Sequence, residues 1–166
     1  KKQGRHTRKQ INSEVVLNVE AYLPNSYIND SQQKIEMYKR IRQMTGLSQC
    51  QTIQHDLVDR FGRYPEPVHN LLAVSLIKRF ADQALISNIH QIANQVTITA
   101  SEGGTQLYSS ADFLRAIAKT KFKASIDEKA HQMQIKLTIT PAMESGHRWL
   151  NDLMALVQSL SQRRNE

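Results

Sequence analysis

The chain has 166 residues, with 22 Lys+Arg against 15 Asp+Glu, one Cys, one Trp and a formal charge of +7. That length suits one domain of ordinary size, and 40% apolar with 22% charged residues is globular rather than disordered composition. A single cysteine excludes an intramolecular disulfide framework and a Cys-based zinc knuckle, and no apolar stretch approaches the roughly 18 residues of a membrane span.

The charge is unevenly spread. Lys1, Lys2, Arg5, Arg8 and Lys9 place five cations in the first ten residues with no acid among them. The other 156 residues hold 17 basic and 15 acidic side chains, so the body is close to neutral. Residues 1–12 read as a basic connector and residues 13–166 as a single domain. The alternative is a nucleic-acid-binding arm that releases counterions from phosphates. That run contains no aromatic side chain on which a base could stack. No charged-then-apolar leader opens the sequence, and with the lone Cys50 this gives an expected cytoplasmic location.

From Ser13 to Ala21 the sequence alternates, with Val15, Leu17 and Val19 on one side, which predicts a half-buried strand. Pro24 and Asn25-Ser26 break it. Asp30 or Ser31 can cap a first helix carrying Ile35, Tyr38, Ile41 and Met44 at helical spacing, and Gly46 is placed to end it. A second helix from about Ser48 puts Cys50, Ile53, Leu57 and Phe61 on one apolar stripe, and Gly62 stops it. Arg63-Tyr64-Pro65-Glu66-Pro67 forms a stiff connector, and a third helix runs from about Glu66 to near Leu85, with Pro67 in its first turn. It is apolar on more than one side, which predicts the most buried helix.

Beyond Ile86 the pattern turns β-rich, through Ile89, Ile92, Val96 and Ile98. Glu102-Gly103-Gly104-Thr105 then reads as a hairpin turn leading to a short Gln106–Tyr108 strand. Ser109-Ser110 caps a short helix with Phe113, Leu114 and Ile117. Strands over 123–126 and 133–140 follow, joined by a polar Asp127-Glu128-Lys129 turn. Pro141 breaks the strand, and a last helix runs from about Ala142 to Gln162, with Trp149, Leu150, Leu153, Met154, Val157 and Leu160 on its buried face. The expected fold class is therefore α+β: an antiparallel or mixed sheet packed with helices, three consecutive helices in the N-terminal half, and a long C-terminal helix.

Enzyme signatures are missing from this reading. The Gly-Gly pair lacks a following Lys-Ser/Thr, so no phosphate-binding loop is present. His6, His55, His69, His90, His131 and His147 include no pair three or four residues apart, so no helix offers a two-His metal face. Cys50 sits in an apolar stripe, which predicts an inert buried thiol rather than a nucleophile. Asp56, Asp59 and Arg60, at i, i+3 and i+4, cluster on the second helix away from Leu57. They are either a solvated face with a weak ion pair or a charged docking patch.

Two stretches carry a family likeness. One is Ala21-Tyr22-Leu23-Pro24-Asn25-Ser26-Tyr27-Ile28-Asn29-Asp30 running into Tyr38-Lys39-Arg40-Ile41. The other is Leu57-Val58-Asp59-Arg60-Phe61-Gly62 followed by Pro65-Glu66-Pro67-Val68. Over roughly Val15 to Leu72 the chain resembles the C-terminal (TRCF) domain of bacterial transcription-repair coupling factors (Mfd); from Ile89 to Ile139 the likeness is general.

The resemblance implies a parent protein that is an ATP-driven translocase on double-stranded DNA. That parent displaces stalled RNA polymerase and recruits nucleotide excision repair. It also implies that this chain, without the motor motifs, is non-catalytic, takes no cofactor or metal, and has no membrane partner. Its role would be autoinhibitory: docking on the N-terminal UvrB-like module of the same protein and masking the surface that binds UvrA. The Asp-Arg-Phe-Gly motif is where this family docks, which assigns Asp59 and Arg60 to the contact. Asp56 joins them where Glu is expected in much of the family, and Arg63-Tyr64 replaces a smaller, more apolar pair.

Overall fold

Among the described helices, the most thoroughly buried is the one with apolar residues on several sides. In the computed structural model, which describes residues 11–144 and 148–164, this is α3 (Glu66–Gln83). Half of its 18 residues are buried, including Val68, Leu72, Leu76, Ile77 and Phe80. Pro67 lies in its first turn, where a missing N–H costs no hydrogen bond. Around it stand α1 (Ser31–Arg42), α2 (Leu47–Phe61) and the long α7 (Arg148–Arg164), each in contact with α3.

The sheet has five strands in the order β1-β2-β3-β5-β4. They are β1 (Glu14–Val16), β2 (Ile86–Ile92), β3 (Gln95–Ala100), β4 (Lys123–Lys129) and β5 (Gln132–Thr138). β1 runs parallel to β2 and the other pairs are antiparallel, so the sheet is mixed. The register puts Val15, Ile89, Ile98, Ile135 and Ile126 in one apolar row across all five strands. Ile89, Ile98 and Ile135 are fully buried. The neighbouring row, His90, Thr97, Lys136 and Ser125, is polar, as expected of a sheet covered on one face. This is the α+β class expected from the sequence.

Several local expectations are corrected. The first strand forms ladder bonds only over Glu14–Val16, although burial keeps alternating as far as Leu23. Past Val16 a side chain replaces the ladder, because Asn18 N–H donates to Gln91 Oε1 at 2.7 Å. In α1 the buried stripe is Met37 and Ile41, continued just past its end by Met44, while Ile35 is 62% exposed. Asp30 is the N-cap, accepting from Gln33 N–H at 2.9 Å. Gly46 does not end α1; it is the extended N-cap residue of α2. The Asp127-Glu128-Lys129 run belongs to β4, and the turn is Ala130-His131, both with positive φ as a tight hairpin requires.

The Gly-Gly segment is the largest departure. Residues Glu102–Leu107 form a short helix, α4, capped by Ser101, whose hydroxyl accepts from Gly104 N–H at 3.0 Å. The β2–β3 hairpin has already turned at Ala93. Gly104 is present for proximity: a Cβ there would stand 2.6 Å from the Leu85 carbonyl oxygen. A second helix, α5 (Ser110–Ala118), follows with a full capping box between Ser109 and Asp112. Its apolar face holds Phe113 and Ala116, whereas Leu114 is exposed. After Phe122 and the β4–β5 hairpin comes α6 (Pro141–Glu144), then α7. Residues 145–147 lie outside the described residues, and α7 buries Leu156 in addition to the predicted residues, with Met154 half-buried. No helix among the described residues is long and apolar enough to cross a membrane.

The two adjacent glycines should respond oppositely. Gly104→Ala should lower unfolding free energy in urea by about 1–3 kcal/mol through backbone overlap. Gly103→Ala, whose added carbon meets atoms only at 3.9 Å, should be neutral or gain up to about 1 kcal/mol from helix propensity.

Candidate docking surface on the second helix

The position of α2 is set by its buried stripe and by one tyrosine. Cys50, Ile53 and Leu57 face the core, with Phe61 half-buried behind them. Beyond Phe61 the chain needs a left-handed residue, supplied by Gly62 at φ 84°. The Tyr27 hydroxyl donates toward the carbonyls of Leu57 (3.1 Å) and Gly62 (2.6 Å), and its ring meets Phe61 at 5.8 Å between centroids. Partial burial, and then the neighbouring Tyr64, push the Tyr27 phenol above its ordinary range. Tyr27 is itself fixed by a turn in which its N–H donates to the Pro24 carbonyl at 2.9 Å. The Tyr38 hydroxyl accepts from Leu23 N–H at 2.8 Å. The Tyr-x-Pro-x-x-Tyr-Ile motif is thus a bracket that holds α1 and the C-terminal end of α2.

Asp56 is the centre of a three-residue network. Its carboxylate accepts from the Arg40 guanidinium of α1 and, at 3.3 Å, from Arg60 one turn further along α2. The Arg40 hydrogen bond is the strongest influence on this carboxyl. Together with Arg60 and both positive charges it holds Asp56 below the usual carboxylate range, against an opposing effect of partial burial. Arg60 also lies 4.9 Å over the Phe61 ring. All three network side chains remain about a third exposed. Arg40 was not among the residues assigned to docking from the sequence; the spacing within α2 cannot reveal a partner sixteen positions away on another helix.

Asp59 stands outside this network. Three positions at about 100° each leave it only about 60° round the helix from Asp56, yet it enters none of the ion pairs. It lines a shallow depression of about 530 Å³ with Gln51, Gln54, His55, Val58 and Tyr64. Val58 is 49% exposed there, and Gln54 Nε2 donates to the Tyr64 hydroxyl at 3.1 Å, folding the connector back onto the helix. The three residues thus share one side of α2, with Asp56 and Arg60 ion-paired and Asp59 beside them outside the pair. Arg60 and Asp59 flank the same exposed turn but face different neighbours.

Other sequence candidates are dispersed. Lys1, Lys2, Arg5, Arg8 and Lys9 lie outside the described residues, as do His6 and His147. His90 Nε2 lies 2.7 Å from Glu14 on the open sheet face, and His131 is in the β4–β5 turn. Among the described residues no three His, Cys, Asp or Glu side chains come together as a metal-binding group. The Cys50 thiol is 3% exposed, and burial raises its pKa. The fold and this geometry define an α+β domain whose best-organised charged groups lie on an open surface.

Comparison with known proteins places that domain. The TRCF domain profile matches residues 17–111, more than half of the chain. A crystal structure of the C-terminal domain of a transcription-repair coupling factor superposes with a TM-score of 0.87 at 30% identity, covering 95% of this chain and 96% of that one. The transcription-repair-coupling factor of Bacillus subtilis is 28% identical over 151 residues, which is 91% of this chain and 13% of that protein. The Staphylococcus aureus (strain USA300) protein is 31% identical over 149 residues, 90% of this chain and 12% of that protein. The chain belongs to the TRCF domain family. It spans about an eighth of the length of these curated relatives.

Two substitutions probe the bracket and the network. Tyr27→Phe should cost about 1 kcal/mol of stability, read by urea unfolding, by removing one hydroxyl that serves two carbonyls. Asp56→Asn should cost no more than about 1 kcal/mol at neutral pH, given the exposure of the pair. Because the folded pKa of Asp56 lies below its ordinary 3.8, its contribution is complete above that value and fades as pH falls through the folded pKa. The stability gap between wild type and variant should therefore narrow in acid.

Proposed function

We propose that this domain is the regulatory, non-catalytic part of a transcription-repair coupling factor. In this reading it docks on the UvrB-like module near the N-terminus of the parent protein and covers the surface that would bind UvrA. The parent would be an ATP-dependent translocase on double-stranded DNA that displaces stalled RNA polymerase. The supporting observation is the Arg40–Asp56–Arg60 network with Asp59 beside it. These charges are braced from two helices yet stay solvent-exposed, so they present a fixed pattern without a large cost of ordering on contact.

Such a latch needs little intrinsic affinity. A linker that holds two surfaces near one another converts a weak contact into a closed state, and movement of other domains can open it. Exposed charges suit this use, because they govern recognition and association more than residence time. Asp59 and Val58 would meet the partner directly. Asp56 would act through Arg60, holding its guanidinium in place.

Binding of the UvrB-like module to this domain tests the reading. The wild-type domain should bind at moderate salt, and Asp59→Lys with Arg60→Glu should weaken the contact by roughly tenfold or more. An unaltered affinity for the double variant, or no binding by the wild type, would exclude this surface.

A further inference from the structure

A second charged surface lies outside the docking face. Arg40 and Arg42 are two residues apart on the last turn of α1, so their side chains diverge by about 200°. Arg40 joins Asp56, whereas Arg42 lines a groove of about 570 Å³ between α1, the start of β1 and the outer side of α3. Lys78 and Arg79 of α3 line the same groove.

The charge of this groove is set by a clasp at its floor. Asp82 is 7% exposed, and its Oδ1 accepts from Ser13 N–H at 2.8 Å and from Lys78 Nζ at 2.7 Å. Lys78 Nζ also donates to Asn12 Oδ1 at 2.7 Å. Lys78 and Asp82 thus cancel each other while tying the entering chain to α3. Two guanidinium groups are left over. Arg79 is held by its Nε, which donates to the Met44 carbonyl at 3.0 Å, and Arg42 is exposed. Guanidinium forks match phosphate oxygens in charge and geometry.

We infer that this groove binds the phosphate backbone of duplex nucleic acid. Charge complementarity carries the assignment, and two observations favour a nucleic-acid backbone over other anions. No aromatic side chain lines the groove, so it offers contacts to phosphates and none for stacked bases. Five cations among residues 1–10 also precede Asn12 in the sequence, an excess of positive charge in the same chain that an extended polyanion matches. An acidic peptide is the rival ligand. This inference stands independently of the latch, since it uses none of Asp56, Asp59 or Arg60.

The test is fluorescence anisotropy of a short labelled DNA duplex with the full 166-residue chain at low salt. Arg42→Glu should weaken binding by roughly tenfold and reduce the dependence of log affinity on log salt by about one contact. Arg42 is exposed, so this variant should fold normally; adding Arg79→Gln should weaken binding further. The Arg42→Glu effect should persist when Lys1, Lys2, Arg5, Arg8 and Lys9 are all changed to Gln, which separates groove from arm. An unchanged affinity and salt slope in Arg42→Glu overturns the assignment. So does loss of the Arg42 effect in the neutralised-arm background, or displacement of the duplex by poly-glutamate more readily than by unlabelled DNA at equal charge.

Discussion

The burial of α3 is the constraint on which the remaining structure depends. A helix with apolar residues around most of its circumference must be covered on several sides at once. α7, α2, α1 and the β1–β2 edge of the sheet supply that cover. α7 also meets α5 and α6, and α1 meets α2, but α3 is the element they all share, so it fixes their relative positions. The two charged surfaces inherit this rigidity, because one lies on α2 and the other on the exposed side of α3 itself. The clasp at Asp82 adds a polar constraint at the far end of the helix, where the chain enters the fold.

The two family motifs do different physical work. The Tyr22–Ile28 stretch is scaffold: its turn and the Tyr27 hydroxyl end α2 at a defined place and direction. The Asp-Arg-Phe-Gly stretch is surface, with Phe61 as its anchor and Asp59 and Arg60 facing outward. Gly62 joins the two roles, since its left-handed backbone both closes the helix and offers its carbonyl to Tyr27. A sequence likeness spanning both motifs is therefore a likeness of one mechanical unit. That unit could carry a docking face in any chain preserving its spacing.

Much of this was legible in the sequence, for identifiable reasons. α2 and α3 follow from hydrophobic periodicity, and Gly62 and Pro67 mark ends with strong backbone preferences. The α+β class follows from helices and hairpins that do not alternate. Errors arose where a tertiary contact decided between local options. Ile35 has the spacing of a core residue, but α1 packs on α2 and α3 with Met37 and Ile41 inward and leaves Ile35 exposed. Gly103-Gly104 carries the composition of a turn, yet closeness to Leu85 is what requires the second glycine. The site was legible to a similar depth. Periodicity put Asp56, Asp59 and Arg60 on one side of α2, but it could not show which of them would pair or that Arg40 arrives from another helix.

The near-neutral body with a basic start also acquires a more definite meaning. Charge is organised at two places by the divergent arginines at the end of α1, one braced against an acid on α2 and one left facing a groove. The central claim is that the first of these places belongs to a latch over the UvrA-binding surface. The most direct measurement is the affinity of UvrA for the full-length coupling factor with and without this domain. The account predicts that deletion raises that affinity markedly; an affinity unaffected by deletion would contradict it.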